Sequence, residues 1–335
     1  MKRLVAVTLL AVSCAFALRG EGPRSLSVLT WNTMHYGWEQ QPKAQADLRE
    51  RVMIDQIRDC GCDVALIQET YGSFGRLLKG LPGWHGALLG ACNCVLSRHP
   101  IVKTYAPYDD GLLYGCTNGY DYGASTKPFT FAVAEIAVGG RRVRVCPIAM
   151  NWQPYCVFFP TNLGAEAALA WEGAPQPNRG RPRPQAMRAI LDSIAEMRRE
   201  ADAIPLIIGG DFNSQSHLDW TASTAGVPGH CGRVIPWQVS RIMADAGFCD
   251  TYRHLHPDPA RDYGNSFAWL VPGRASSAIT LRLDYIYSLG RGLRPVSSTL
   301  CNALYLSPYA FEGRSYPAFP SDHGFFLTRF EFANP

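Results

Sequence analysis

Along this chain short, nearly continuous apolar runs stop on, or begin beside, a carboxylate or an amide. The plainest is PLIIGGDFNSQSHLDW (205–220), where an apolar stretch ends on Gly209 and Gly210 and hands over to Asp211 and Asn213. The pattern recurs where SVLTW meets Asn32, where DVALIQ meets Glu69, in LRLDYIYS around Asp284, and where Asp322 and His323 stand ahead of FFLTRFEF. An apolar run of this length without alternation reads as a strand buried on both faces. Taken singly, each polar end is an ordinary turn former.

Between these strands the period changes. Residues 44–59 carry Leu48, Val52, Met53 and Ile57 at helical spacing, and Cys60-Gly61 closes that helix. Gln185–Arg199 is predicted as a second helix, with Met187, Ile190, Leu191, Ile194 and Met197 on one face. VLSRHPIV (95–102), FTFAVAEIAV (129–138) and RRVRVCPIAM (141–150) read as further strands. Asn162–Pro184, rich in Gly, Pro and Arg, reads as a long exposed loop. Strands and helices interleave, so the class is mixed α/β in one domain. The 47% hydrophobic content is enough for a substantial core.

The first residues stand apart. MKRLVAVTLLAVSCAFALRG has two basic residues, an apolar run too short for a membrane span, and the small-x-small pattern Ala15-Phe16-Ala17. Residues 1–17 are expected to be a removed signal peptide, placing residues 24–335 outside the cytoplasm as a secreted or periplasmic domain. Anchoring through a lipid on Cys14 is the minor alternative. No later segment is apolar and long enough to span a bilayer. Lys2 and Arg3 leave with the signal, which brings the formal charge of +4 closer to zero. A binder of polyanions usually carries a stronger basic excess. The remaining cysteines (60, 62, 92, 94, 116, 146, 156, 231, 249 and 301) are even in number and read as disulfides. A four-thiolate metal site at Cys60, Cys62, Cys92 and Cys94 is the lesser reading, because its one-residue spacing is not that of a zinc knuckle.

Together and in order, WN (31–32), QE (68–69), GDFN (210–213), LDYIY (283–287) and SDH (321–323) resemble the endonuclease/exonuclease/phosphatase superfamily, and the SHLDW run resembles its secreted bacterial branch. The resemblance covers about Leu26 to Phe332. It implies a deoxyribonuclease I-like fold: an α/β four-layer sandwich of two packed, mixed β-sheets flanked by helices, with the motif residues at one end. It further implies a metal-dependent phosphoric ester hydrolase in which water attacks phosphorus in line. By that resemblance Glu69 is the principal metal ligand, with Asn32 and Asp322. Asp211 and Asn213 orient and deprotonate water, while His323, fixed by Asp284, stabilises the phosphoryl oxygens; whether Asp211 or His323 is the base stays open. The expected cofactor is Mg2+, with Mn2+ or Ca2+ as alternatives, since hard dications take oxygen ligands.

The pattern departs from the family at one place. The family's Asn-x-His-Leu histidine falls on Ala149 or Asn151, and neither is histidine. Asn151 can donate a hydrogen bond but no charge. His35 and His217 are candidates to compensate, and Trp269 is a candidate stacking platform, each weighed against an ordinary surface or core role. Arg179, Arg181 and Arg183 form either an anion clamp or, more simply, a solvated basic loop. The expected substrate is a small-molecule or lipid-headgroup phosphate ester, ranked above nucleic acid, acted on by a monomer. An extracellular nuclease, and a non-catalytic binding protein that retains the fold, are the alternatives.

Overall fold

The computed structural model describes residues 23–34, 41–89, 92–108, 131–151, 164–174, 182–227, 229–268 and 280–333. The first half runs β1 (Ser25–Asn32), α1 (Lys43–Asp59), β2 (Val64–Gln68), α2 (Phe74–Lys79), β3 (His85–Leu89), β4 (Asn93–Ser97), β5 (Ile101–Tyr108), β6 (Phe131–Val138) and β7 (Arg141–Ala149). Then come α3 (Ala165–Glu172), α4 (Arg183–Ser193), α5 (Ala195–Arg199), β8 (Leu206–Asp211), α6 (Gln238–Asp245), β9 (Cys249–Asp250) and α7 (Thr251–Leu255). The last part comprises β10 (Phe267–Ala268), β11 (Thr280–Leu281), β12 (Asp284–Leu289), β13 (Leu293–Cys301), β14 (Tyr309–Phe311), β15 (Arg314–Tyr316) and β16 (Phe325–Phe332).

These strands build two six-stranded mixed sheets, in the orders β13-β16-β1-β2-β4-β3 and β5-β6-β7-β8-β12-β9. Alternation along each strand divides the core into layers. In β1 and β2, Leu26, Val28, Val64 and Leu66 point into the space between the sheets, where Ile136, Val145, Ile207, Ile286 and Phe326 meet them. Their neighbours Leu29, Trp31, Ala65 and Ile67 face the other way, onto Val52, Met53 and Ile57 of α1. On the second sheet Ile208, Phe212, Tyr285 and Tyr287 pack outward against Met187, Ile190, Ile242 and Met243 of α4 and α6. Each such fully buried aliphatic or aromatic side chain stabilises the fold by about 1.5–3 kcal/mol relative to exposure.

Strand direction gathers the polar ends. β1 and β2 are parallel, with Asn32 opposite Gln68, so Asn32 and Glu69 leave the first sheet at the same edge. β16 is antiparallel to β1, which brings the residues before it, Asp322 and His323, to that edge too. In the second sheet Asp211 ends β8 and pairs directly with Asp284, the first residue of antiparallel β12. Gln68 reaches across from the first sheet, its side-chain amide donating to the Gly209 carbonyl at 3.5 Å.

The two glycines of IIGGD have different reasons. A Cβ on Gly209 would lie 2.8 Å from Leu66 Cδ1, a flexible tip on the facing sheet. On Gly210, at φ +154°, it would lie 1.8 Å from the Ile148 carbonyl oxygen of β7, which is backbone and cannot yield. Gly210→Ala is therefore expected to cost about 3 kcal/mol or more, and Gly209→Ala less. Urea melts of the two variants check this; equal losses would show that the β7 backbone gives way.

Several sequence expectations need correction. VLSRHPIV is two strands in different sheets: β4 and β5 flank Arg98–Pro100, where the chain crosses between sheets. Proline lacks the donor a continuing ladder needs. The stretch 162–184 is not wholly an exposed loop, for it contains α3, whose Ala168 packs into the Trp220, Ile235 and Trp237 cluster and whose Glu172 is fully buried. The helix expected at 185–199 starts at Arg183 and breaks at Ile194 into α4 and α5. Among the described cysteines, Cys60, Cys62, Cys94, Cys146, Cys231, Cys249 and Cys301 are free thiols and Cys92 is disulfide-bonded, so the pairing does not extend to all ten. Nor do Cys60, Cys62, Cys92 and Cys94 gather as metal ligands. Among the described residues no helix is long and apolar enough to cross a membrane.

Candidate active site

Asn32 joins the two sheets at the polar edge. Its side-chain amide donates to Glu69 Oε1 at 3.0 Å and to Asp211 Oδ2 at 3.1 Å, while its Oδ1 accepts the Met34 amide at 3.0 Å. Glu69 sits half-buried just past β2 with φ +59°, and Asn213 has φ +47°. Such left-handed conformations cost energy in non-glycine residues and persist only where surrounding contacts hold them. Asn213 is held by its amide on Asp211 Oδ1 at 2.8 Å, and by its side chain on Asp211 Oδ2 at 2.8 Å and on the Met150 carbonyl at 2.9 Å.

On the other side of Asp211 stands His323. Its Nδ1 lies 2.9 Å from Asp284 Oδ2, and its Nε2 lies 4.0 Å from Asp211 Oδ2. Ser266, at the edge of β10, donates to Asp284 Oδ2 at 2.6 Å and accepts the Leu283 and Asp284 amides. Phe267 packs on the imidazole with ring centroids 4.7 Å apart. The imidazole is thus oriented from both sides, as a proton-handling histidine needs.

Charge follows from this arrangement. Burial pushes Asp211 up to about 7, against the pull of His323 and with the push of Asp284. Burial also raises Glu69, opposed by the Asn32 hydrogen bond and reinforced by Asp322. For His323 burial acts downward, but the charge and hydrogen bond of Asp284, then Asp211 and Asp322, hold it well above the ordinary histidine value. Asp284 thus favours the cationic form of His323.

The pH dependence of the metal-free protein has a defined sign. Between about pH 4 and 7 Asp211 keeps its proton when folded and loses it when unfolded. The unfolded chain then binds fewer protons, so stability falls as pH rises across that window, and Glu69 acts in the same direction. The His323 contribution is fully present below its ordinary 6.5 and is lost only at higher pH, as its raised value is passed. Thermal melts in EDTA should show that decline, shallower in Asp211→Asn; an unchanged slope would clear Asp211 of it.

Asp211, Asp284 and His323 place ligand-capable atoms within 4.8 Å of one another. A protonated imidazole is no ligand, however, and the His323–Asp284 bond favours that proton. An oxygen-only set stands beside them: Glu69, Asn32 and Asp322, where Asp322 Oδ1 is buried without a hydrogen-bond partner among the described residues. A buried, unsatisfied carboxylate oxygen fits a hard dication.

The tentative substrate residues fare differently. Asn151 lies buried next to Met150, itself tied to Asp211 by its amide at 2.8 Å. Arg183 is not a solvated loop residue: it is buried, and its Nη1 donates to the Asn151 carbonyl at 3.0 Å. His217 is turned to Ser240 of α6, with Nδ1 2.8 Å from the hydroxyl, and burial lowers its pKa. His35, Trp269, Arg179 and Arg181 lie outside the described residues.

Sequence reasoning missed three supports. Ser266 is one. Glu172 is another, fully buried and accepting from the Ser214 hydroxyl at 2.5 Å and from the Gln238 and Val239 amides. The third is the cluster in which Arg282 and Arg253 both bond Asp219 while Arg282 also bonds Asp250. Its one visible signal was Arg282, a charge inside an apolar run two residues before Asp284.

A sequence model described as the endonuclease/exonuclease/phosphatase family matches residues 29–323. A Caenorhabditis elegans protein, "Uncharacterized protein F14F9.5", is 20% identical over 294 residues, covering 86% of each chain. Among solved structures, D. rerio TDP2 complexed with single strand DNA product is similar at TM-score 0.55 and 15% identity, over 92% of this chain and 100% of that one. A family protein from Leptotrichia buccalis is similar at TM-score 0.54 and 16% identity, over 92% and 100% respectively. At these identities the structural likeness speaks for the fold.

Proposed function

The chain belongs to the endonuclease/exonuclease/phosphatase family, and from that membership we propose that it is a divalent-metal-dependent hydrolase of phosphate esters. The observation that carries the reading is the line Asp284–His323–Asp211, at 2.9 and 4.0 Å, joined through Asn32 to Glu69. A carboxylate near neutrality beside a fixed imidazolium is the pairing that water attack on a phosphate ester requires.

In this reading Glu69, Asn32 and Asp322 hold Mg2+, with Mn2+ or Ca2+ as substitutes. The bound ion supplies positive charge at a non-bridging phosphate oxygen. Asp211, pushed up to about 7, accepts the proton of the attacking water, which Asn213 helps to orient. His323, held cationic by Asp284, donates to the phosphoryl oxygens as charge builds and serves poorly as a base. Asn151 lies where the family's histidine is missing and offers a neutral donor.

The protein acts outside the cytoplasm, in a secreted or periplasmic location, after removal of residues 1–17. Export is supported by the leader pattern. A small phosphate ester or lipid headgroup ranks first as substrate, supported by the near-neutral charge balance. A nuclease is the second reading, supported by the likeness to D. rerio TDP2 complexed with single strand DNA product.

The deciding experiment assays the mature protein with Mg2+, Mn2+, Ca2+ or EDTA. The substrates are bis-nitrophenyl phosphate, nitrophenyl phosphate, nitrophenyl phosphorylcholine, single- and double-stranded DNA, RNA and inositol phosphates. EDTA-sensitive turnover is expected, and the preferred substrate selects the subclass. Silence from a folded, metal-binding protein would favour a non-catalytic binder.

A further inference from the structure

Arg49 sits on the buried stripe of α1, in step with Val52, Met53 and Gln56, and is itself fully buried. A guanidinium in that position must place its donors inside the protein. Nε donates to the Pro320 carbonyl at 2.8 Å, and Nη2 donates to the Met34 carbonyl at 3.1 Å and the Thr33 carbonyl at 3.4 Å. Nη1 donates to Gln41 Oε1 at 3.0 Å, and Gln41 in turn donates to the Tyr305 hydroxyl at 2.7 Å. The Tyr305 ring covers the cation, with the guanidinium carbon 5.1 Å from its centroid.

These acceptors are not scattered. Thr33 and Met34 directly follow Asn32, and Pro320 stands two residues before Asp322. Ser321 adds a stitch between the same loops, its hydroxyl donating to the Asn32 carbonyl at 2.7 Å. One planar group therefore spans two loops from opposite ends of the chain, each carrying a residue of the oxygen-donor set. We propose that Arg49 is the positioning residue that fixes the Asp322 loop against the end of β1 and thereby sets the site's affinity for its divalent ion. The inference rests on the metal-dependent reading above. A fixed fork suits this task, because lysine keeps the charge but cannot serve several carbonyls in one plane.

Electrostatics alone predicts something different. Arg49 is a like charge to the incoming cation, so its removal would strengthen metal binding, and a lysine would leave binding unchanged. Positioning predicts weaker binding in both cases, by the 10–100-fold typical of groups that orient metal ligands.

The test is Mn2+ binding to the EDTA-stripped mature protein, followed by electron paramagnetic resonance, for wild type, Arg49→Lys and Arg49→Met. Melting temperatures in EDTA report the fold separately. Both variants are expected to bind Mn2+ about tenfold or more weakly. Tighter binding by Arg49→Met with Arg49→Lys unchanged, or unchanged binding in both, overturns the inference. If Arg49→Met does not fold, Gln41→Ala takes its place, with a several-fold loss expected; unchanged affinity in it and in Arg49→Lys counts against the inference equally. Failure of the wild type to bind Mn2+ sinks the metal reading, and the inference with it.

Discussion

Glu69→Gln abolishes metal-dependent hydrolysis, by about 10^3-fold or more, and leaves the fold intact. Glu69 occupies a left-handed backbone position past β2, and Asn32 bonds its Oε1 at 3.0 Å. A glutamine keeps that acceptor and the side-chain shape, so only the charge is lost. The metal-free variant should melt at the same temperature as the wild type or higher, because burial already works against ionised Glu69 and Asp322 adds repulsion. Removing a strained functional charge commonly stabilises the apo fold. Glu69→Ala should match it in activity. Isothermal titration with Mg2+, run beside the assay, links the two losses. Undiminished turnover in either variant would remove Glu69 from the metal site.

His323→Ala should lower turnover by about 10^2–10^4-fold, with a smaller loss in KM terms. The imidazolium contributes twice. It faces the reaction through Nε2, and its charge holds Asp211 lower than burial alone would. Without it Asp211 rises further above about 7, so the acid limb of the pH–rate profile should move to higher pH. Asp284→Asn tests the same unit from behind. An amide at 284 no longer favours the cation, and its effect should not add to that of His323→Ala, because both break one unit. His323→Ala leaves Asp284 buried with Ser266 as its remaining side-chain partner among the described residues, so a fall in melting temperature is expected beside the kinetic loss. A mild kinetic effect with an unshifted profile would move the burden to Asp211 alone.

Much of the polar edge was legible because strand ends are local. A buried run that stops on Glu69 or Asp211 announces itself through hydrophobic period, and its order along the chain matched a family pattern. The errors arose where local pattern is silent. VLSRHPIV has the composition of one strand, yet Pro100 sits at a crossover between sheets. Asn162–Pro184 looks like loop by its glycines and prolines, while α3 is held by Glu172 reaching Ser214 and the start of α6. Even cysteine count predicted pairing throughout, and Cys92 is bonded, but Cys60 at the end of α1, Cys94 on β4 and Cys146 on β7 are buried as small apolar side chains of the core.

What the amino-acid order determined by itself was the buried strands that carry the polar tips, the helix at α1, and which polar residues stand at those tips. Burial of apolar runs and backbone hydrogen bonding decide those over a few residues. Only the tertiary structure decided that Asn32 bridges Glu69 and Asp211 across the two sheets, and that Arg282 neutralises Asp219. It also decided that the Arg49 side chain reaches from α1 to the backbone that follows Asn32 and the backbone that precedes Asp322. Those partners are separated by 179 residues for Asn32 with Asp211 and 271 for Arg49 with Pro320. Which residues meet over such spans depends on sheet order, strand direction and register. Those are properties of how layers pack, and no local period records them.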